Sequence, residues 1–142
     1  MAKCEYISKL LRELEVDIVV LQETHVDMNS QPSRYTISGY SLVSRVGHAQ
    51  YGIKTYARRL DLITEVQTSL SPDNIHTSVI KFNDLTLTNV YKPTNTPWPV
   101  PPLGQNPHLA IILRDLNSNH SNGGYSMDDR TGYSLNEWAN KN

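Results

Sequence analysis

Cysteine is nearly missing from this chain. Cys4 stands alone among 142 residues, which excludes an internal disulfide framework and predicts a reducing compartment. Nothing around it would depress its pKa, so it reads as a packing or surface residue and not as a nucleophile. Charge of one sign is missing as well: a formal net charge of −1 gives no global basic field of the kind that draws nucleic acid. Phosphate would have to be held by local contacts or through a cation. No apolar run approaches a membrane span, and Met1-Ala2-Lys3-Cys4 lacks the apolar stretch of a secretory signal. An intracellular protein without a membrane partner is expected, in which the sequon Asn119-His120-Ser121 has no use. His25, His48, His76 and His108 show no ligand spacing, which argues against zinc. There is no internal repeat, no low-complexity tract and no evident obligate protein partner; the length suits one domain or a piece of one.

What is present alternates between helical and extended patterns. Ile7, Leu10, Leu11 and Leu14 recur at helical spacing opposite Lys9, Arg12 and Glu13, predicting an amphipathic helix whose apolar stripe is core. Asp17-Ile18-Val19-Val20-Leu21 follows, apolar on both faces, and predicts an interior strand covered on both sides. It ends in Gln22-Glu23-Thr24-His25. Met28 to Tyr40 reads as a loop. Tyr40 to Val46 and Gly52 to Ala57 predict a hairpin, and Leu62 to Gln67 a weaker strand. Ile75 to Phe82 and Leu85 to Tyr91 flank Asn83-Asp84, the pattern of a tight hairpin.

Six of the eight prolines fall between Lys92 and Pro107, which predicts an extended loop; Trp98 within it is expected to pack against the domain. Ala110 to Leu113 then predicts a buried strand running into Arg114-Asp115-Leu116-Asn117-Ser118-Asn119-His120. After a polar loop, Tyr133, Leu135 and Trp138 predict a closing helix. A strand meander followed by a further strand–helix unit argues for a mixed α/β sandwich. Lys54, Arg58 and Arg59 form a small basic run, read as a solvated face with phosphate contact as the sharper alternative.

Two predicted strands therefore deliver carboxylates, Glu23 and Asp115, at their ends. Mg²⁺ needs only one or two protein carboxylates beside water and substrate phosphate. Glu23 suits that role, Asp115 suits proton acceptance from an attacking water, and Asn117 and Tyr91 suit hydrogen bonding to phosphate oxygens. The plain alternatives are a turn at Asp115-Leu116-Asn117 and a half-buried tyrosine at 91.

Leu21-Gln22-Glu23-Thr24, then Asn89-Val90-Tyr91-Lys92-Pro93, then Asp115-Leu116-Asn117-Ser118-Asn119-His120, each closing a predicted strand, resemble the motifs of the endonuclease/exonuclease/phosphatase superfamily. Glu23-Thr24-His25-Val26 and the stretch from Gly124-Tyr125 to Leu135-Asn136-Glu137-Trp138-Ala139 resemble, more narrowly, the endonuclease domain of non-LTR retrotransposon (reverse transcriptase) polyproteins. The resemblance implies a four-layer α/β sandwich and Mg²⁺- or Mn²⁺-dependent nicking of DNA through its backbone phosphate, in the nucleus if the chain belongs to a retroelement protein. It implies Glu23 and Asp115 as metal-binding residues, with Asp115, Asn117, Tyr91 and His120 as catalytic ones. It also implies gaps. The family's opening strand with its Asn and its closing S-D-H motif are not in the chain, so a domain truncated at both ends is expected. Arg114 stands where the pattern has Gly, either facing outward or, the preferred reading, blocking the ion. The alternatives are a catalytically dead fragment that at most binds nucleic acid, and a phosphatase of the same superfamily acting on a small ligand.

Overall fold

Strand β3 (Ile53–Ala57) is buried along its whole length, because it is the central strand of one sheet and is covered on both faces. It pairs antiparallel with β1 (Ile18–Gln22) on one side and β2 (Ser41–Val46) on the other. The second sheet runs β4 (Ile63–Leu70), β5 (His76–Phe82), β6 (Leu85–Tyr91) and β7 (Ala110–Asp115), in that order. Its first three strands form an antiparallel meander, whereas β7 lies parallel to β6. Two helices, α1 (Ala2–Glu13) and α2 (Arg130–Ala139), complete a mixed α/β chain. The computed structural model describes residues 2–30, 36–94, 96–98 and 109–141. Most of the proline loop and the middle of the 28–40 loop lie outside them, as does the side chain of Cys4.

The hairpins follow from turn chemistry. Asn83 adopts φ 52° between β5 and β6, a left-handed conformation that asparagine tolerates better than most residues. Asn74 does the same at φ 59° between β4 and β5, where Asn74 N–H donates to the Ser71 carbonyl. The Asn83-Asp84 turn is the one expected from the sequence.

The two sheets meet over a seam that is part apolar and part polar. Val46 and Ile53 pack on Tyr91, while the hydroxyls of Ser44 and Ser78 bond to each other between the sheets. On the far face of the first sheet, Leu11 and Ile7 of α1 pack with Val19, Ile37 and Tyr56. On the far face of the second, Leu135 of α2 and Ile112 of β7 pack with Ile75, Val90, Trp98 and Leu116.

Four burial expectations are corrected. Leu14 is 63% exposed because α1 ends at Glu13 and Glu15 turns the chain left-handed at φ 52°, and Leu10 within the helix is exposed as well. β1 is an edge strand with mostly half-buried residues, not an interior one. β7 is likewise an edge, with Ile111 and Leu113 exposed on one face. A short apolar run announces a strand, but which neighbours pair with it is set elsewhere in the chain. Lys54 departs from the expected solvated run: it sits in central β3 and is buried, while Arg58 and Arg59 pair with Asp17 and Asp61 at the surface. Such exposed pairs contribute little, about 0–1 kcal/mol each.

Candidate active site

The strand β1 does not end freely. Gln22 Nε2 donates to Asn89 Oδ1 at 3.0 Å and to the Val90 carbonyl at 2.9 Å, with the Leu113 carbonyl at 3.4 Å. One side-chain amide thus ties the edge of the first sheet to β6 and β7 of the second. Immediately afterwards Glu23 adopts φ 50°, and Thr24 and His25 donate backbone N–H groups to the carbonyls of Gly52 and Tyr51. Two non-glycine residues near the end of one strand, Glu23 and His25, are therefore held in a sparsely populated backbone conformation, which persists only where surrounding bonds over-determine it.

That turn delivers the Glu23 carboxylate to Tyr91, whose hydroxyl donates to Glu23 Oε1 at 2.8 Å. Tyr91 is 2% exposed, and in the parallel register it stands directly beside Asp115 of β7. Burial pushes the Tyr91 phenol well above its ordinary pKa, the hydrogen bond to Glu23 adds to this, and the charges of Glu23 and Asp115 push the same way. The phenol is a neutral donor set among carboxylates. Side chains from β1, β6 and β7 meet here although they are distant in sequence.

Asn117 follows at φ 43°, and its side-chain N–H donates to the Lys92 carbonyl at 2.9 Å. Its second amide hydrogen and its side-chain oxygen remain for other partners. Lys92 returns the contact twice: its backbone N–H donates to the Asp115 carbonyl, and its ammonium donates to the carbonyls of Pro93, Thr96 and Asn117 at 3.1, 3.0 and 3.3 Å. The same ammonium sits 6.0 Å from the centre of the Trp98 ring. Burial lowers the Lys92 pKa, and Asp129 and Asp115 pull it back. Lys92 carries no chemistry in the sequence motif, yet it fixes the turn on which Asn117 sits. Replacing Lys92 with Met would leave one buried and two partly buried carbonyls without that donor, so a loss of about 2–4 kcal/mol in urea unfolding is expected. A change under about 0.5 kcal/mol, the range of a neutral surface substitution, would sink the clamp.

Trp98 packs in the cluster of Val90 and Leu116 and donates its indole N–H to Ser118 Oγ, so it packs as expected. His120 engages the other side of the loop. Its Nδ1 accepts from the Asn122 N–H, and its ring meets Tyr133 of α2 edge to face. Its contacts are those of a turn cap, and neither Glu23 nor Tyr91 is among them.

Arg114 resolves against the blocking expectation. Successive residues of a strand point to opposite faces. Asp115 follows Tyr91 toward the first sheet, whereas Arg114, two residues past Ile112, lies on the face that carries α2. The guanidinium and the Glu23–Tyr91 pair occupy different faces of the sheet.

One grouping had no signal in the sequence. His48, Tyr51, His76 and Tyr91 form a ring cluster in which His48 stacks on Tyr51 at 4.8 Å and His76 meets Tyr91 at 6.0 Å. His76 is fully buried; burial lowers its pKa, His48 adds to this, and the Val46 carbonyl only partly opposes it. The imidazole is neutral and serves as the floor beneath Tyr91.

The donor set admits a divalent ion in one limited sense. Glu23 bonds to the Tyr91 phenol and Asp115 is the register partner of Tyr91, close enough for its charge to act on that phenol, so two carboxylates stand near one point, the number Mg²⁺ asks of a protein when water and phosphate complete its shell. Among the described residues no group of three or more His, Cys, Asp or Glu side chains is gathered to hold a metal. Comparison with known protein families finds no family model that matches the chain, and comparison with curated proteins finds no match.

Proposed function

We propose that the chain is a divalent-metal-dependent phosphodiesterase of the endonuclease/exonuclease/phosphatase type, acting on DNA as a retroelement endonuclease does. The observation that carries the reading is the meeting of Glu23, Tyr91 and Asp115, with Asn117 one turn further on. A four-layer architecture belongs to the same reading, and its support is that α1 packs outside one sheet and α2 outside the other.

In this reading Glu23 and Asp115 would hold Mg²⁺ or Mn²⁺. The ion, when bound, supplies charge stabilisation at the phosphate and a water of lowered pKa. The protein's own groups supply the rest. Asp115 accepts or orients the proton of the attacking water. Tyr91, kept neutral by burial, turns its one hydroxyl hydrogen from Glu23, to which it donates in the free protein, to a non-bridging phosphate oxygen when substrate binds. Asn117 turns its remaining amide hydrogen to a second oxygen and holds the phosphate in line.

The test is nicking of supercoiled plasmid. Open circles are expected with Mg²⁺ or Mn²⁺ and none in EDTA. A folded sample that nicks with neither ion removes the reading. A second reading, a non-catalytic nucleic-acid binder, is favoured by one observation: the described residues gather two carboxylates and no third ligand of the kind that strong metal sites use.

A further inference from the structure

We propose that a cleft at the end of β7, adjoining Asp115 and Asn117, binds a nucleotide through Arg114, Tyr125 and the amide pair Asn122–Asn136. The cleft has a volume of about 550 Å³ and lies between the end of β7, the 116–125 loop and α2. That is within the range of sites for small organic ligands, about 300–1,000 Å³.

Three features on its walls complement the phosphate, the base face and the base edge of a nucleotide. Arg114 lines the cleft, is exposed, and makes no ion pair with a described residue. An unpaired guanidinium in a concave site is a phosphate ligand in search of a phosphate, since its fork matches two oxygens at once. Tyr125 packs one side of its ring near Gly123, about 3.6 Å from where a side chain there would begin, and remains 53% exposed. Its free side offers a base a stacking surface, which every base can use.

The amide pair supplies the edge contacts. Asn122 Nδ2 donates to Asn136 Oδ1 at 3.1 Å, which fixes both side chains across the cleft, one from the loop and one from α2. Asn122 Oδ1 and the Asn136 amide hydrogens are left over, an acceptor beside a donor. Exposed base edges present the complementary arrangement. Asp115, Asn117 and His120 also line the cleft, so a phosphate is expected on Arg114 and not against the Asp115 carboxylate.

The binding stands independently of catalysis. Only its assignment to a DNA strand beside the cleaved phosphate rests on the nuclease reading. The cleft would then hold a nucleotide flanking the scissile bond and set target preference.

The experiment is isothermal titration with deoxyadenosine monophosphate in EDTA, beside 2-deoxyribose 5-phosphate and inorganic phosphate. Saturable binding of the nucleotide is expected. Removing the base, Arg114→Ala and Tyr125→Ala should each weaken it about tenfold, the size of one stacked base or one charged hydrogen bond. Tyr125→Phe should retain the affinity. These side chains are exposed, so urea midpoints should not move. Absence of saturable binding, or equal affinity for nucleotide and inorganic phosphate, overturns the proposal. Nucleotide binding without nicking would remove the nuclease reading and leave the cleft; nicking without nucleotide binding would do the reverse.

Discussion

Asp115→Ala is expected to cut metal-dependent nicking by about 10²–10⁴-fold, the usual contribution of a group that moves or orients a proton. The protein should stay folded. What joins residue 115 to the fold is backbone: its register with Tyr91 and its carbonyl's bond from the Lys92 N–H, both of which Ala keeps. No described residue donates a hydrogen bond to the carboxylate, so its removal should shift unfolding by no more than about 0.5 kcal/mol. Asp115→Asn, which preserves shape and removes the base, should be nearly as inactive. Activity above about a tenth of the original in Asp115→Asn would assign the proton transfer elsewhere. Loss of folding in both variants would make Asp115 structural instead.

Gly132→Ala should destabilise the protein by about 3 kcal/mol or more, against the sign of the ordinary preference, since alanine in a helix interior is favoured over glycine by about 1 kcal/mol. The cause is contact. Gly132 is buried in the first turn of α2, and a side chain there would begin 1.8 Å from the Asn119 carbonyl oxygen and 2.5 Å from its carbon. Both atoms are backbone and cannot rotate away. The same place is fastened from both sides: Asn119 N–H donates to Asp129 Oδ2, Asp129 N–H donates to the Asn119 carbonyl, and Gly132 N–H donates to Asp129 Oδ1. Relief requires α2 to move off the loop that carries Asn117. Stability and nicking should therefore fall together, unlike in Asp115→Ala. Gly123→Ala is the control, because a side chain there meets only the Tyr125 ring at ordinary distance. Thermal unfolding of the two variants side by side decides it. A Gly132→Ala protein as stable as the parent would mean that α2 packs differently.

Much of the secondary structure was legible because its signals are local. The hairpin of β5 and β6 followed from Asn83-Asp84 between two extended runs, and α2 from the spacing of Tyr133, Leu135 and Trp138. Glu23, Tyr91, Asp115 and Asn117 were legible as candidates because each follows or ends an extended run. Their meeting was not. It depends on Gln22 reaching across to Asn89 and Val90, and on β7 lying parallel beside β6. Lys92 was missed for a related reason. An isolated lysine in sequence reads as a solvated charge, and only the fold supplies the three carbonyls that surround it.

The sequence by itself determined where strands, turns and helices form and which residues bear chemistry, since propensity, periodicity and turn residues act over a few positions. Tertiary structure alone decided that β1 and β7 are edges, that Arg114 and Tyr91 stand on opposite faces of the sheet, and that His48 and His76 join Tyr51 and Tyr91 in one ring cluster. Those outcomes rest on strand pairing and facing, where a shift of one residue sends a side chain to the opposite face, and pairing between distant segments is settled by the packing of the whole.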